Sequence, residues 1–425
     1  MPGLGMEHCG GAFRMEKLKP LLIPGIFSLI LLALALVTGL AQEPDGDETH
    51  FHIPAVEQYS QQFPNIDLQN YHSASGPVPY IWWTLLGKLV GTELSALRAL
   101  TLCFGIAALF FFANLVRKEN WRLQLVAVGG LAFQPYFLGR SLSLYTMIPA
   151  LCLGIFSLWC FQAFQKEKRV LWLVTYVIAA SLAVWSRQIY LSYVAGILAF
   201  VAVENIMNAS ALSLRQLAAK LLPLTIPGLA LGVLFLIWGG TNPPGFRENA
   251  SQGINILQLD FIPIFLGFWF VPVFFDHLDR FPKWLLALAL VLSLHLLAMP
   301  LYVLDASGPS MAQGNIAGFI AKLFTVAQNK GVPILALKGG QMVLWTMGLC
   351  VLALLVQDFR KLTSLIAFAH FGIIGLVPQV WERFFLPLAP VLWLGFLPRM
   401  RRLWLYFLWM GAQALLALAY VLDKT

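Results

Sequence analysis

Apolar residues fill this chain in long blocks separated by short polar segments. The blocks cover residues 20–41, 95–116, 121–139, 143–164, 170–185, 190–206, 221–238, 257–275, 284–304, 335–356, 362–378, 384–398 and 403–422. A helix rises about 1.5 Å per residue, so about 20 apolar residues cross the ~30 Å hydrocarbon core of a bilayer. The pattern therefore predicts an all-α integral membrane protein of about 13 transmembrane helices, in a single polytopic domain over residues 1–425. Arg14, Lys17 and Lys19 precede the first block. We read that block as a retained first helix, because it is longer than the roughly 7–15 residues of a signal-peptide core.

Composition removes the other classes. The 425 residues are 59% hydrophobic and 11% charged, with mean hydropathy +0.76, which excludes a soluble globular chain and a disordered one. Cys103, Cys152, Cys160 and Cys350 fall inside apolar blocks, Cys9 lies in the N-terminal segment, and no CxxC occurs. Neither a disulfide framework nor a zinc site is indicated. With the N-terminus cytoplasmic, 18 of the 28 Lys and Arg fall in alternate, inner loops: Arg14, Lys17, Lys19, Arg117, Lys118, Arg122, Lys166, Lys168, Arg169, Arg215, Lys220, Arg280, Lys283, Arg360, Lys361, Arg399, Arg401 and Arg402. That asymmetry accounts for the net charge of +8 through membrane orientation and anionic lipid, not through nucleic acid.

Three outer segments exceed simple turns: residues 42–94, 239–256 and 305–333. The first collects Asp45, Asp47, Glu48, Glu57, Asp67 and Glu93. A carboxylate at the edge of the hydrocarbon can have its pKa raised by desolvation and act as a general base; the plainer reading is a hydrated acidic loop. His50 and His52 lie beside it without a regular ligand spacing, which favours hydrogen bonding over metal binding. Residues 71–90 pass from polar to aromatic and proline-rich, then apolar with Lys88, as in a helix lying in the interface. Arg140, Arg187, Arg247 and Arg383 stand at outer helix ends, where orientation does not explain them. Snorkelling explains any one of them. Together with the outer carboxylates they point to a lipid phosphate, since arginine presents a planar fork of donors and stays charged.

Residues 47–59, DETHFHIPAVEQY, resemble the "DE.FH.PQAQ.Y" segment that follows the first helix in the dolichyl-phosphate-glucose alpha-1,2-glucosyltransferases, with one extra residue between Glu48 and Phe51. Trp185-Ser186-Arg187-Gln188 resembles that family's "FRQ" region. Gly239-Gly240 with Arg247 resembles its "GG....GDR" loop, with Gly245-Phe246-Arg247 in place of the GDR triplet. Glu382-Arg383-Phe384 through Pro387 resembles its "RY...P" segment. The family's long cytoplasmic insertions are missing.

The resemblance implies the GT-C fold, a multi-helix bundle whose first outer loop carries an acidic motif and interfacial helices. It implies an enzyme that takes a hexose, glucose in that family, from a polyprenyl phosphate to a hydroxyl of a glycan or lipid-linked acceptor, with inversion and without cofactor or metal. It marks Asp47 and Glu48 as catalytic, and His50, His52, Arg187, Gln188, Arg247, Glu382 and Arg383 as substrate-binding. The expected location is a bacterial inner membrane or the endoplasmic reticulum membrane. A transporter or flippase for an amphipathic or lipid-linked solute is the competing class. It predicts mid-helix polar groups and an internal duplication, whereas the mid-span candidates are only Gln134, His295, Lys338 and His370 and no repeat is evident. A non-catalytic scaffold for polysaccharide assembly is a third class.

Overall fold

A computed structural model describes residues 10–40, 42–207, 213–249, 259–299, 318–376 and 382–422, with side chains omitted at 10–20 and 247–249. The described residues are helices and connections, without a strand. Among the described residues seven helices are long and apolar enough to cross a membrane: Leu21–Thr38, Leu94–Leu115, Met147–Glu167, Gln188–Met207, Leu214–Trp238, Ile334–Gln357 and Leu403–Leu422. Val170–Ser186, Lys283–Leu297, Leu362–Leu376 and Leu388–Arg399 are shorter apolar helices. The chain is an all-helical integral membrane protein.

The two remaining apolar blocks are broken helices. The first divides into Trp121–Ala132 and Pro135–Ser141. Pro135 starts the second piece, and the Gln134 side chain accepts from Phe137 N at 2.8 Å, which satisfies one of the N–H groups that a new helix leaves open. The second block divides at Phe270 into Phe261–Trp269 and Val271–Asp276, with Pro272 in the first turn of the latter. Local capping also sets ordinary helix ends. Ser213 and Gln216 form a reciprocal capping box at the start of Leu214–Trp238, and Gly239, at φ +65°, ends that helix in the left-handed conformation.

Packing relies on close backbone approach where no side chain would fit. A Cβ on Gly267 would overlap the Leu344 carbonyl, and one on Gly348 would overlap the Pro263 carbonyl. Helices Phe261–Trp269 and Ile334–Gln357 therefore meet backbone to backbone, as small residues allow in a membrane.

Helix direction separates two ends of the bundle. Tyr145 and Lys166 lie at opposite ends of Met147–Glu167, Arg187 and Arg169 at opposite ends of Val170–Ser186, and Arg383 and Arg399 at opposite ends of the helix beginning at Leu388. The first member of each pair belongs to the cluster described below. The second end carries its own ion pairs. Asp276 is fully buried there and accepts from the Arg401 and Arg402 backbone N–H groups at 2.8 and 3.0 Å and from Tyr406 Oη at 3.0 Å. Asp358 takes Lys361 at 2.6 Å and Arg399 at 2.8 Å.

Candidate active site

The segment after the first long helix is ordered by one buried ion pair. Glu48 is fully buried, and each of its oxygens accepts two bonds. Oε1 accepts from Arg98 Nε at 2.9 Å and Leu144 N at 2.5 Å. Oε2 accepts from Arg98 Nη2 at 2.5 Å and Asp45 N at 2.8 Å. Arg98 also donates to the carbonyls of Leu40, Gln42 and Glu43, so it gathers the turn leaving the first helix onto the start of Leu94–Leu115. Asp45 Oδ1 accepts from Glu48 N at 2.9 Å, a reciprocal arrangement that starts the next helical turn. That turn, Glu48–His52, is a π-helix, which runs into the α-helix Ile53–Gln62. A π turn holds more residues than an α turn. It stands where this chain has one residue more than the family pattern it resembles.

Asp47 projects from this turn and is 24% exposed. Its Oδ2 meets Arg383 Nη1 at 2.5 Å and Arg140 Nη2 at 3.8 Å, while Arg140 Nη1 holds Asp45 Oδ2 at 2.6 Å. Three guanidinium groups surround the buried Tyr145 ring: Arg140 at 4.2 Å from its centroid, Arg383 at 5.2 Å and Arg187 at 5.5 Å. The negative face of an aromatic ring attracts cations and here spaces three like charges that would otherwise repel. Among the described residues Arg187 makes no ion pair, its buried Nε has no hydrogen-bond partner, and neither has Tyr145 Oη. Burial alone would raise the Asp47 pKa, but Arg383, Arg140 and the Arg383 hydrogen bond outweigh it and hold the carboxyl below its usual value. This reverses the expectation from desolvation: the partners, not the depth, set the sign.

His52 is buried, with Nδ1 2.9 Å from Tyr80 Oη and its ring edge-on to Tyr145 at 5.2 Å. Tyr80 Oη lies 2.6 Å from Ser73 Oγ. Burial pushes the imidazole down to about 3, so it is neutral at pH 7, and its Nε2 has no partner among the described residues. His50 is exposed.

The arginines are fixed by the backbone beside them. Arg187 follows the last turn of Val170–Ser186 in extended conformation, its N–H bonded to Ala183 O at 2.9 Å. Gly76 packs so closely there that a Cβ would overlap the Trp185 carbonyl, and Gly76 N donates to Ser186 O at 3.1 Å. Gly76→Ala is therefore expected to cost about 1–3 kcal/mol through overpacking, read as a lowered melting temperature. Gln188 Nε2 donates to Ala74 O at 3.3 Å, so Gln188 ties this corner to the outer loop. Arg383 sits on the short turn Glu382–Phe385, anchored by Phe385 stacked on Phe265 at 4.3 Å and by His370 Nε2, 2.9 Å from Phe384 O. The Arg247 side chain lies outside the described residues.

Glu382 faces away from the arginines into the protein. It is fully buried and accepts from Trp269 Nε1 at 2.9 Å and Ile320 N at 2.8 Å, while Tyr136 Oη accepts from Phe319 N at 2.6 Å. Together they cap helix Phe319–Asn329. Burial pushes the Glu382 carboxyl up to about 7, so the folded state retains its proton between about pH 4.5 and 7 and loses stability as pH rises through that window. The difference in melting temperature between Glu382→Gln and wild type is expected to grow in favour of the variant from pH 6 to pH 8.

Arg98, Arg140, Tyr80 and Tyr145 were not among the residues assigned a site role from the sequence. Arg140 stood out only as an outer-end cation. Arg98 carried the same signal, an arginine one turn inside the outer end of an apolar block. The two tyrosines carried none.

The fold and cluster together define a polytopic, all-helical membrane protein that gathers a carboxylate and several arginines at one end of its helices. No family model matches the chain, and no curated protein matches it. Among solved structures it is similar to ArnT from Cupriavidus metallidurans bound to undecaprenyl phosphate, at 12% identity and a TM-score of 0.45, over 82% of this chain and 76% of that one. It is also similar to the apo state of ArnT from the same organism, at 14% identity and a TM-score of 0.39, over the same shares.

Proposed function

We propose that this chain is a GT-C-type glycosyltransferase that moves a hexose from a polyprenyl-phosphate donor to an acceptor hydroxyl at the extracytoplasmic or lumenal face. One observation carries the reading: Asp47 and the guanidinium groups of Arg140, Arg187 and Arg383, from four distant parts of the chain, meet around Tyr145. The distribution of cations between the loops supports reading this end as the outer one, with the N-terminus in the cytoplasm. Glucose is the first sugar to test, because the sequence motifs resemble those of the dolichyl-phosphate-glucose family.

In the proposed reaction the acceptor oxygen attacks the anomeric carbon as the bond from that carbon to the phosphate oxygen breaks. The hydroxyl proton passes to Asp47, and the leaving polyprenyl phosphate keeps the bonding electrons, its charge met by arginine. Attack opposite to departure inverts the anomeric centre. A phosphate leaves without protonation, so one base and two cations suffice. Arg187 supplies the cation that no carboxylate engages among the described residues. Arg383 is shared: as the donor phosphate draws it from Asp47, the carboxylate loses its strongest neutralising partner and becomes a better base. Arg140, held by Asp45, keeps the pair in place. Glu48 and Glu382 act on position, Glu48 by fixing the turn that presents Asp47 and Glu382 by anchoring the turn that presents Arg383.

Incubation of purified protein with synthetic undecaprenyl-phosphate and dolichyl-phosphate hexoses tests this. Transfer or release of the hexose supports it, and an intact donor in every case removes it. Arg187→Ala is expected to raise KM for the lipid-phosphate donor by about tenfold or more, as for a lost charge-assisted contact, with a smaller effect on the acceptor. Arg383→Gln is expected to move the acid limb of the kcat/KM profile to higher pH. It removes the charge that lowers the Asp47 pKa and leaves the burial that raises it. An unmoved limb would dissociate Arg383 from the base.

A further inference from the structure

Asp47 lies one helical turn before Phe51, so both side chains address the same side of the Glu48–His52 turn. The Phe51 ring is half-exposed and belongs to a group of three aromatic rings drawn from separate segments. His72, exposed, stacks near-parallel to Phe51, with centroids 6.2 Å apart and planes at 23°. Phe246, half-exposed, stands across both, 5.6 Å from Phe51 at 72° and 6.3 Å from His72 at 68°. The result is a corner with two near-parallel rings and one upright ring.

The corner is held rigidly. Trp238 Nε1 donates to Leu68 O at 2.9 Å and Gln69 Nε2 to Ile237 O at 2.8 Å, which fastens the base of the 239–249 loop to the segment leading to His72. Gly245 lies against the Tyr71 backbone, where a Cβ would come within 3.2 Å of the Tyr71 carbonyl oxygen. The arginines described above gather around another ring, Tyr145, so this corner is a separate aromatic group.

We infer that Phe51, His72 and Phe246 seat the pyranose ring of the acceptor, which makes the acceptor a carbohydrate and places its hydroxyl beside Asp47. This rests on the glycosyl-transfer reading above and deepens it. Aromatic faces are electron-rich, and the axial C–H groups on one face of a pyranose are polarised by their ring oxygens, so the two surfaces attract. The equatorial hydroxyls point outward from such a stack, where imidazole and carboxylate meet them. An acyl chain gains nothing from an imidazole in the platform.

The test uses full-length protein in nanodiscs and saturation-transfer NMR with methyl glucoside, galactoside and mannoside. On the same samples, binding of undecaprenyl phosphate is read by its shift of the thermal unfolding midpoint. Wild type is expected to transfer saturation to the axial ring protons of at least one glycoside. Phe51→Leu and Phe246→Leu are expected to weaken that glycoside by about tenfold or more, Phe51→Tyr to retain it, and undecaprenyl phosphate to bind all of them. His72→Leu, at an exposed position, gives the same answer should either phenylalanine variant misfold. Equal glycoside affinity in folded leucine variants overturns the inference. So does a wild type that binds undecaprenyl phosphate and no glycoside, which leaves the glycosyl-transfer reading standing. A wild type that binds neither ends both.

Discussion

Asp47→Asn is expected to lower hexose transfer from a polyprenyl-phosphate donor by about 10²–10⁴-fold, the range for loss of a general base. The protein should still fold and bind donor. Asparagine keeps the shape of the side chain and an oxygen that can accept from Arg383 Nη1, now 2.5 Å from Asp47 Oδ2. The amide cannot take a proton from the acceptor hydroxyl, so the loss falls on kcat, while the donor KM is not raised, because Arg383 is no longer held by a charge. Asp47→Glu should recover part of the rate, since it restores a carboxylate at altered reach. Because the Asp47 pKa is depressed in the folded protein, its ion pairs contribute stability above the ordinary carboxylate pKa and lose it only as pH falls through the lowered value. Near-wild-type transfer by Asp47→Asn in a folded sample would remove Asp47 from the chemistry.

Among the residues that hold the outer loop, Arg98→Met, on helix Leu94–Leu115, is expected to be the most destabilising change, by about 3–5 kcal/mol, because it leaves the fully buried Glu48 carboxylate without its cation. It also frees the carbonyls of Leu40, Gln42 and Glu43, so the turn carrying Asp47 should loosen and activity should fall with stability. The double variant Glu48→Gln/Arg98→Met is expected to cost less than the sum of the two single changes, since the stranded charge is gone. Melting temperature and amide exchange over residues 42–52 measure both effects. Strict additivity would show that the two side chains act independently, contrary to their geometry.

The apolar blocks foretold the helices because length and hydropathy are local properties. The breaks at Gln134 and Phe270 were hidden inside continuous apolar stretches, where proline is tolerated because neighbouring helices can satisfy the freed backbone groups. Arg187 and Arg383 could be singled out because a cation at an outer helix end is unexpected, and Asp47 because it sits in a carboxylate cluster within the motif that resembles a known family. Their meeting could not be read, since it depends on how helices more than a hundred residues apart assemble. Glu48 and Asp47 look alike as neighbours in sequence, yet the π turn sends one inward to Arg98 and turns the other toward Arg383 and Arg140. The Asp47 pKa runs against the expectation from desolvation for the same reason: burial is visible in a hydropathy pattern, and the identity of the partners is not. Tyr145 gave no signal at all, as one aromatic residue among many in an apolar context.

The most direct measurement is an experimental structure of the protein in nanodiscs with an undecaprenyl-phosphate hexose made inert by a phosphonate linkage. The phosphonate oxygens are expected about 2.7–3.0 Å from Arg187 and Arg383 nitrogens, with the anomeric carbon opposite a path open to Asp47. A headgroup held elsewhere, with Arg383 still on Asp47 and Arg187 without an anion, would contradict the account.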